Sequence, residues 1–550
     1  MQTQRGISFA QFLQRKGVGK VTPLTSTAKL RIMKQKRQPV ESLHAMTSSN
    51  THTVPFCLEI APAPCALVFF GATGDLTRRK LLPSLFQLES VGLLHACSRI
   101  VGCGRSPHDD ASFRALAAEA LPAADPAARA AFLQRVSYVR ADPADAETFR
   151  LLAGHLRSLD SLESPVPLNR LFYFATPPAT CQPLIACLAA AGLLEENDAS
   201  CPWRHLALEK PFGSDAASAG VLDAFLHRFA REDQIYRIDH YLGKETVQNI
   251  LMLRFANILF EPVWNAQTVD HVQITVAESV GLENRAGYFE QSGLLRDMFQ
   301  NHLLEMLSLV TMEPPAAFSA DAIHAEKKKL IQAIRPFTAE RVRADIVRGQ
   351  YGAGNGLPAY REEPGIQPSS QTETFIAAKF FIDNWRWHGV PFYLRAGKRL
   401  GARASEIALV FKRVPHSMFN PASPDALTPN VLTLRVQPQE SVNLLLQAKL
   451  PGPKLCIGDM PLHFAYSELG GADAPDAYAR LLLDAMLHDH TLFVRSETIA
   501  ASWELFTPVL DVWRNAPQDC PLHVYPAGSD GPTAADALMA ADGRAWRPMG

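Results

Sequence analysis

The sequence predicts an α/β part built on a parallel, doubly wound sheet, followed by an α+β part with a large, mostly antiparallel sheet. Two observations carry this. Up to about residue 238, short apolar runs of strand length alternate with helical patterns, as successive βαβ units do. Beyond it, strand-length segments alternate polar and apolar residues at period two, as strands with one wet face do.

In chain order, Ala66–Phe70 (ALVFF) reads as a buried strand, followed by a glycine turn and a helix from about Thr77 to Gly92. A strand at Ile100–Cys103, an Ala-rich helical region over Ala111–Ala131, a strand at Arg170–Phe174 and a helix over Thr180–Leu194 come next. Strand Leu206–Leu208 and helix Ala216–Phe229 complete the first part. In the second part, Val269–Glu278 (VDHVQITVAE) alternates at period two, Val431–Gln437 does so more loosely, and Glu406–Phe411 is an apolar run of strand length. Gly352–Pro368, rich in glycine and proline, is expected to be a loop. The boundaries expected are a basic extension over 1–60, a coenzyme domain over 61–238 and a substrate and dimerisation domain over 239–550.

The chain has 550 residues, 47% of them hydrophobic and 20% charged, which is enough for two full cores. A formal net charge of −1 gives no global field towards nucleic acid or an anionic membrane, so an anionic ligand must be held by local clusters. No apolar run approaches the roughly 18 to 20 residues needed to span a bilayer. Nine cysteines without a CxxC pair argue against a disulfide framework or a zinc site. No metal is expected; Cys97 and Cys103 read as buried thiols and the compartment as reducing, hence cytoplasmic. The first fifty residues hold nine Lys or Arg against one acid, Glu41. The preferred reading is a disordered tail, or a start assigned too early with Met33 or Met46 as the true one. An organelle transit peptide is the alternative.

The first strand runs into Gly71-Ala72-Thr73-Gly74-Asp75-Leu76. Glycine lets a backbone approach a pyrophosphate, and the helix that follows offers free N–H groups and a positive dipole end. The spacing is GxxGxL rather than GxGxxG, and a turn without a ligand would look the same. At the end of the next strand Arg105 and Ser106 stand where an NAD enzyme often places an acid, and a guanidinium there suits a 2′-phosphate.

Arg237–Glu245 (RIDHYLGKE) packs Asp239, His240, Tyr241 and Lys244 together. If a helix opens near Asp239, His240 and Lys244 share a face and can grip a phosphate, while Asp239 points about 100° away. A surface charge cluster at a helix start is the other reading. Leu294–Val310 has apolar positions at three and four and reads as a buried helix interrupted by Asp297, Asn301 and His302. On an ideal helix Asp297 and His302 are about 140° apart, so a carboxylate partner for His302 must come from elsewhere, and Asp239 is free for it.

The pieces GATGDLTRRK, LEKPFGSD, RIDHYLGKETVQNI, AGYFEQSGLLRDMFQNHLL and VPFYLRAGKRL occur in this order. Together they resemble the glucose-6-phosphate dehydrogenase family from about Ala66 to Trp513. The resemblance implies a Rossmann-like coenzyme domain, NADP as oxidant with NAD use open, and β-D-glucose 6-phosphate as substrate. It implies that His302 is the general base and Asp239 its carboxylate partner. His240, Tyr241 and Lys244 match the phosphate site, and Lys210 matches a lysine touching both substrate and coenzyme. Glu278, Asp297, Lys398 and Arg403 match further substrate contacts. Gly71, Thr73, Gly74, Asp75, Leu76, Lys80 and Arg105 fall on coenzyme positions. The enzyme is expected to assemble as a homodimer or homotetramer. Gly102-Cys103-Gly104 is smaller than the family's usual sequence before that arginine. A sugar oxidoreductase of the glucose–fructose oxidoreductase type would not need His240 and Lys244. A catalytically inactive homologue would have lost Asp239, His302 or Lys210.

Overall fold

Strands β1 (Cys65–Phe70), β2 (Arg99–Gly104), β3 (Val136–Arg140), β4 (Asn169–Phe174), β5 (Arg204–Glu209) and β6 (Ile235–Ile238) lie parallel in the order 3-2-1-4-5-6. This is the strand order of dinucleotide-binding folds, whose switch point falls between the first and fourth strands. The molecule is a computed structural model that describes residues 60–162, 167–196, 202–419, 427–469 and 476–549. The expectations for the basic extension lie outside the described residues, apart from residue 60.

β1 is buried along its whole length because helices cover both sheet faces. The expected helix after it is interrupted: Thr77–Leu81 takes π geometry before a regular helix over Leu82–Ser90, and Gly92 closes it at φ +76°. Leu93 N donates to Leu88 O there, the pattern of a glycine-ended helix. The Ala-rich region forms two helices, Asp110–Ala120 and Pro126–Gln134. Asp125 caps the second through Ala128 N and Pro126 opens it, so local capping outweighs the uniform alanine content.

The second sheet contains β7 (Val269–Ala277), β8 (Ile346–Gly352), β9 (Phe375–Phe381), β10 (Pro391–Gly397), β11 (Ala404–Phe411), β12 (Val431–Gln437), β13 (Ser441–Lys449) and β14 (Ile457–Ala465). Among the described residues it has nine strands, in the order 14-13-12-11-7-10-9-8-16, where β16 is Leu522–Pro526. Only the 7/10 and 8/16 neighbours are parallel. The period-two pattern of β7 predicts one wet face, yet almost the whole strand is buried. The C-terminal segment accounts for this: Arg544 pairs with Asp270, and Gln273 exchanges hydrogen bonds with Ala545 O and Arg547 N. After Gly352, the last residue of β8, the segment to Pro368 is a loop that holds one short 3-10 helix, Tyr360–Glu362.

The chain also returns to the first sheet. β15 (Phe493–Val494) pairs antiparallel with β6, and the helix Ser496–Asn515 follows it. Both pieces lie far along the chain yet stand beside Asp239, the residue after β6.

Candidate active site

At the coenzyme end, Gly71 takes φ +86°, and a Cβ there would lie 2.4 Å from Ala175 O. Only glycine fits this turn. Gly71 N and Ala72 N both donate to Cys103 O, and Thr77 Oγ1 donates back to Gly71 O, so the loop folds tightly over the ends of β1 and β2. The small residues before Arg105 have a packing cause. A Cβ on Gly102 would meet the Phe113 ring at 2.4 Å, and one on Gly104 would meet the Tyr138 hydroxyl at 2.9 Å. Arg105 is exposed just beyond β2. Thr73, Gly74 and Leu76 lie half-buried in the loop. Exposed Asp75 pairs with Arg79 at 3.5 Å. Lys80 pairs with Asp476 at 2.7 Å.

At the substrate end the structure corrects one expectation. No helix opens at Asp239: residues 239–244 form turns, with Leu242 N on Asp239 O and Lys244 N on Tyr241 O, and the helix begins at Glu245. Gly243 prevents an earlier start, since its backbone lies so close to Ala477 that a Cβ would sit 2.6 Å from the carbonyl oxygen. His240 and Lys244 therefore do not share a helical face. Lys244 instead sits over the Tyr241 ring, its Nζ 4.8 Å from the centroid.

A second expectation also changes. The buried helix is regular only from Leu304 to Thr311; Leu295–Leu303 takes π geometry. Residues five apart are hydrogen-bonding neighbours in a π-helix, so Asp297 and His302 come to one side instead of standing apart. The segment is set by Gly293, whose φ of +63° brings the chain against Glu373, and Glu373 Oε1 accepts from Leu295 N at 3.0 Å.

Both residues meet Lys210, which follows β5. Lys210 Nζ lies 2.9 Å from His302 Nε2, donates to Asp297 O at 2.7 Å and reaches Asp297 Oδ1 at 3.0 Å. On its other edge, His302 Nδ1 donates to Asp239 Oδ1, which also accepts from Tyr241 N at 2.9 Å. That carboxylate fixes the tautomer and leaves Nε2 with its lone pair. His302 is 1% and Asp239 2% exposed. Tyr241 lies nearly parallel to the His302 ring at 4.4 Å, and His240 meets it edge-on at 4.7 Å.

Burial depresses the His302 pKa, with Lys210 acting in the same direction and Asp239 opposing. Burial pushes Asp239 upward, but His302, His240 and Lys210 outweigh it and hold the carboxyl at about 2. For Asp297 the same contest is won by Lys210 and Lys398, which keep it well below the usual carboxylate range. Burial lowers Lys244 to about 8, with Glu440 opposing and Arg403 and Lys80 among the neighbouring charges. Arg403 is exposed and donates to Gln437 Oε1 at 3.1 Å. Glu278 and Lys398 follow β7 and β10, which run parallel, so both stand at the same end of the sheet and pair at 2.5 Å.

Two groups of described residues have the spacing of metal ligands: Asp239, His240 and His302, and Asp223, His227 and Glu232. In the first, Asp239 and His302 bind each other. In the second, the Arg237 guanidinium holds both carboxylates at 2.9 and 2.7 Å.

Several residues of the site were not singled out in sequence. Tyr288 Oη donates to Asp297 Oδ1 at 3.3 Å. Glu440 accepts from Thr246 N beside Lys244, and Asp476 neutralises Lys80. Tyr288 stands within AGYFEQSG and could have been read from that motif. Glu440 and Asp476 come from distant segments with no motif of their own.

A glycine-lined turn on a 3-2-1-4-5-6 sheet, with a buried histidine–carboxylate pair beside a lysine, defines a pyridine-nucleotide-dependent oxidoreductase. Residues 68–249 match the family model "Glucose-6-phosphate dehydrogenase, NAD binding domain", and residues 251–547 match "Glucose-6-phosphate dehydrogenase, C-terminal domain". The chain belongs to the glucose-6-phosphate dehydrogenase family. It is 43% identical over 510 residues to the glucose-6-phosphate 1-dehydrogenase of Chlamydia muridarum, covering 90% of this chain and 98% of that one. Against the Mycolicibacterium smegmatis enzyme the identity is 43% over 493 residues, covering 88% and 97%. A glucose-6-phosphate dehydrogenase solved in complex with glucose 6-phosphate superposes with a TM-score of 0.81 at 35% identity, covering 88% of this chain and 99% of that one. The Mycobacterium avium enzyme superposes at 0.74 with 34% identity, covering 88% and 99%.

Proposed function

We propose that this chain oxidises β-D-glucose 6-phosphate at C1 to 6-phospho-D-glucono-1,5-lactone, the first step of the oxidative pentose phosphate pathway, with NADP as oxidant. The observation that carries the reading is the buried His302, bound through Nδ1 to Asp239, with its Nε2 lone pair 2.9 Å from Lys210 Nζ.

His302 Nε2 takes the proton of the C1 hydroxyl, and Asp239 stabilises the imidazolium that forms. Lys210 holds the resting imidazole unprotonated. Lys244, His240 and Tyr241 hold the phosphate, Asp297 and Glu278 bind the sugar hydroxyls, and Lys398 and Arg403 supply further substrate contacts. Gly71, Thr73, Gly74, Asp75, Leu76 and Lys80 would lie along the coenzyme, and the exposed Arg105 guanidinium suits its 2′-phosphate. The tight Gly71 turn is the feature that fits a pyrophosphate. When bound, the nicotinamide supplies the hydride acceptor.

In this reading residues 61–238 bind coenzyme, and 239–550 supply substrate contacts and self-association as a homodimer or homotetramer. Exposed Leu450, Met460 and Leu462 on or beside the β13–β14 hairpin support an apolar contact between copies. The enzyme would work in the cytoplasm, a reducing compartment that suits its cysteine thiols among the described residues. Initial rates with glucose 6-phosphate against NADP and NAD, followed at the reduced-nicotinamide absorbance, test the proposal. No rate with either coenzyme would overturn it.

A further inference from the structure

Between the end of β6, the segment Gln300–Glu305 and the first turns of the helix Ser496–Asn515 lies a cavity of about 20 Å³. That volume admits one water and no larger ligand. Asp239, Glu305 and Thr498 all line it.

Asp239 uses one oxygen for its known contacts: Oδ1 accepts from His302 Nδ1 and Tyr241 N. Its other oxygen, Oδ2, is buried without a protein hydrogen-bond partner. Thr498 is 2% exposed, and its Oγ1 is likewise buried and unpartnered. As the third residue of its helix, Thr498 has no carbonyl one turn earlier in that helix to bond back to. Of the other lining groups, Gln300 Nε2 donates to Ser502 Oγ at 2.7 Å, and Glu305 pairs with Lys327 while keeping room to accept one more hydrogen bond. Two orphaned polar atoms on residues that line one water-sized space are what a structural water satisfies, and such a water needs two to four partners.

We propose that Thr498 is a positioning residue of the active site, acting through one buried water that accepts from its hydroxyl and donates to Asp239 Oδ2 and to the Glu305 carboxylate. The inference rests on the dehydrogenase reading above. The water fixes the Asp239 side chain from the side opposite its bond to His302, so that Oδ1 stays on Nδ1 through the catalytic cycle. The titratable groups acting on Asp239 are His302, His240 and Lys210, together with the carboxyls of Glu209 and Glu305, the latter paired with Lys327.

Thr498→Val keeps the shape and removes the hydroxyl. Expected are a fall in kcat of about 3- to 10-fold and a KM for glucose 6-phosphate within about twofold of wild type. The acid limb of kcat/KM moves up by about half a pH unit, because a less solvated Asp239 makes the pair bind its proton more tightly. Thr498→Ser restores all three. A Val variant with the wild-type kcat and pH profile overturns the proposal, as does a Ser variant as impaired as Val, which would point to methyl packing. If the Val variant does not fold, a wild-type crystal structure that shows waters decides. A water in reach of both Asp239 Oδ2 and Thr498 Oγ1 supports the proposal, and its absence sinks it. A wild-type enzyme inactive on glucose 6-phosphate would defeat the dehydrogenase reading instead, and that crystal structure would still decide the water.

Discussion

Replacing Asp239 by Asn tests the centre of the proposed chemistry, because it removes one charge while leaving an oxygen able to accept from His302 Nδ1. Both residues are almost wholly buried, so little solvent screens them. Two unit charges about 4 Å apart at an effective dielectric of about 20 attract by about 4 kcal/mol. The imidazolium forms only as the proton leaves the sugar, so this stabilisation belongs to the transition state and not to the bound substrate. A loss of that size corresponds to a kcat about 10³-fold lower. KM for glucose 6-phosphate should change little, since the phosphate contacts are elsewhere. Asp239 also raises the proton affinity of His302, so its loss moves the acid limb of the rate profile to lower pH even as the rate falls. Initial rates across pH at the reduced-nicotinamide absorbance give all three numbers. A kcat within tenfold of wild type, or an acid limb displaced upward, would refute the pairing.

His302→Asn should abolish kcat with little effect on substrate binding, and near-normal turnover would remove the base assignment. Lys244→Ala should raise KM for glucose 6-phosphate by about 10- to 100-fold, the worth of a charged hydrogen bond, while oxidation of free glucose is unchanged; equal losses on both sugars would argue against a phosphate contact. Arg105→Ala should weaken NADP far more than NAD in coenzyme titrations, and parallel losses would refute the 2′-phosphate role. Acid should destabilise the fold through His205 and His324, whose pKa values burial holds down to about 3. Their unfolded values are about 6.5, so as pH falls the unfolded chain takes up protons first; their contribution is complete above about 6.5 and is lost between about 6.5 and 3. Melting temperature measured across that window should fall, and a flat profile would contradict it.

The parallel, doubly wound class of the first sheet, four of its strands and the glycine turn were legible in sequence, because each rests on a local pattern; β3 and β6 were not read, and the strand order is a property of the whole sheet. A buried parallel strand is a short apolar run, a positive-φ turn asks for glycine at Gly71, and RIDHYLGKE places four functional side chains within nine residues. Geometry was another matter. An ideal helix separates Asp297 from His302, but the π segment started by Gly293 and Glu373 puts both on Lys210. A helix starting at Asp239 would have paired His240 with Lys244, but the carbonyl of Ala477 packs against Gly243 and delays the helix to Glu245. The polar positions of β7 predicted solvent and found the C-terminal segment. The sequence alone determined which candidate groups the chain carries and at what short spacings, since residue type and spacing are properties of the chain. Only the tertiary structure decided how they meet, because the elements that set helix geometry and complete the site, Glu373, Ala477 and Thr498, arrive from segments 80 to about 260 residues away and no local pattern encodes such contacts.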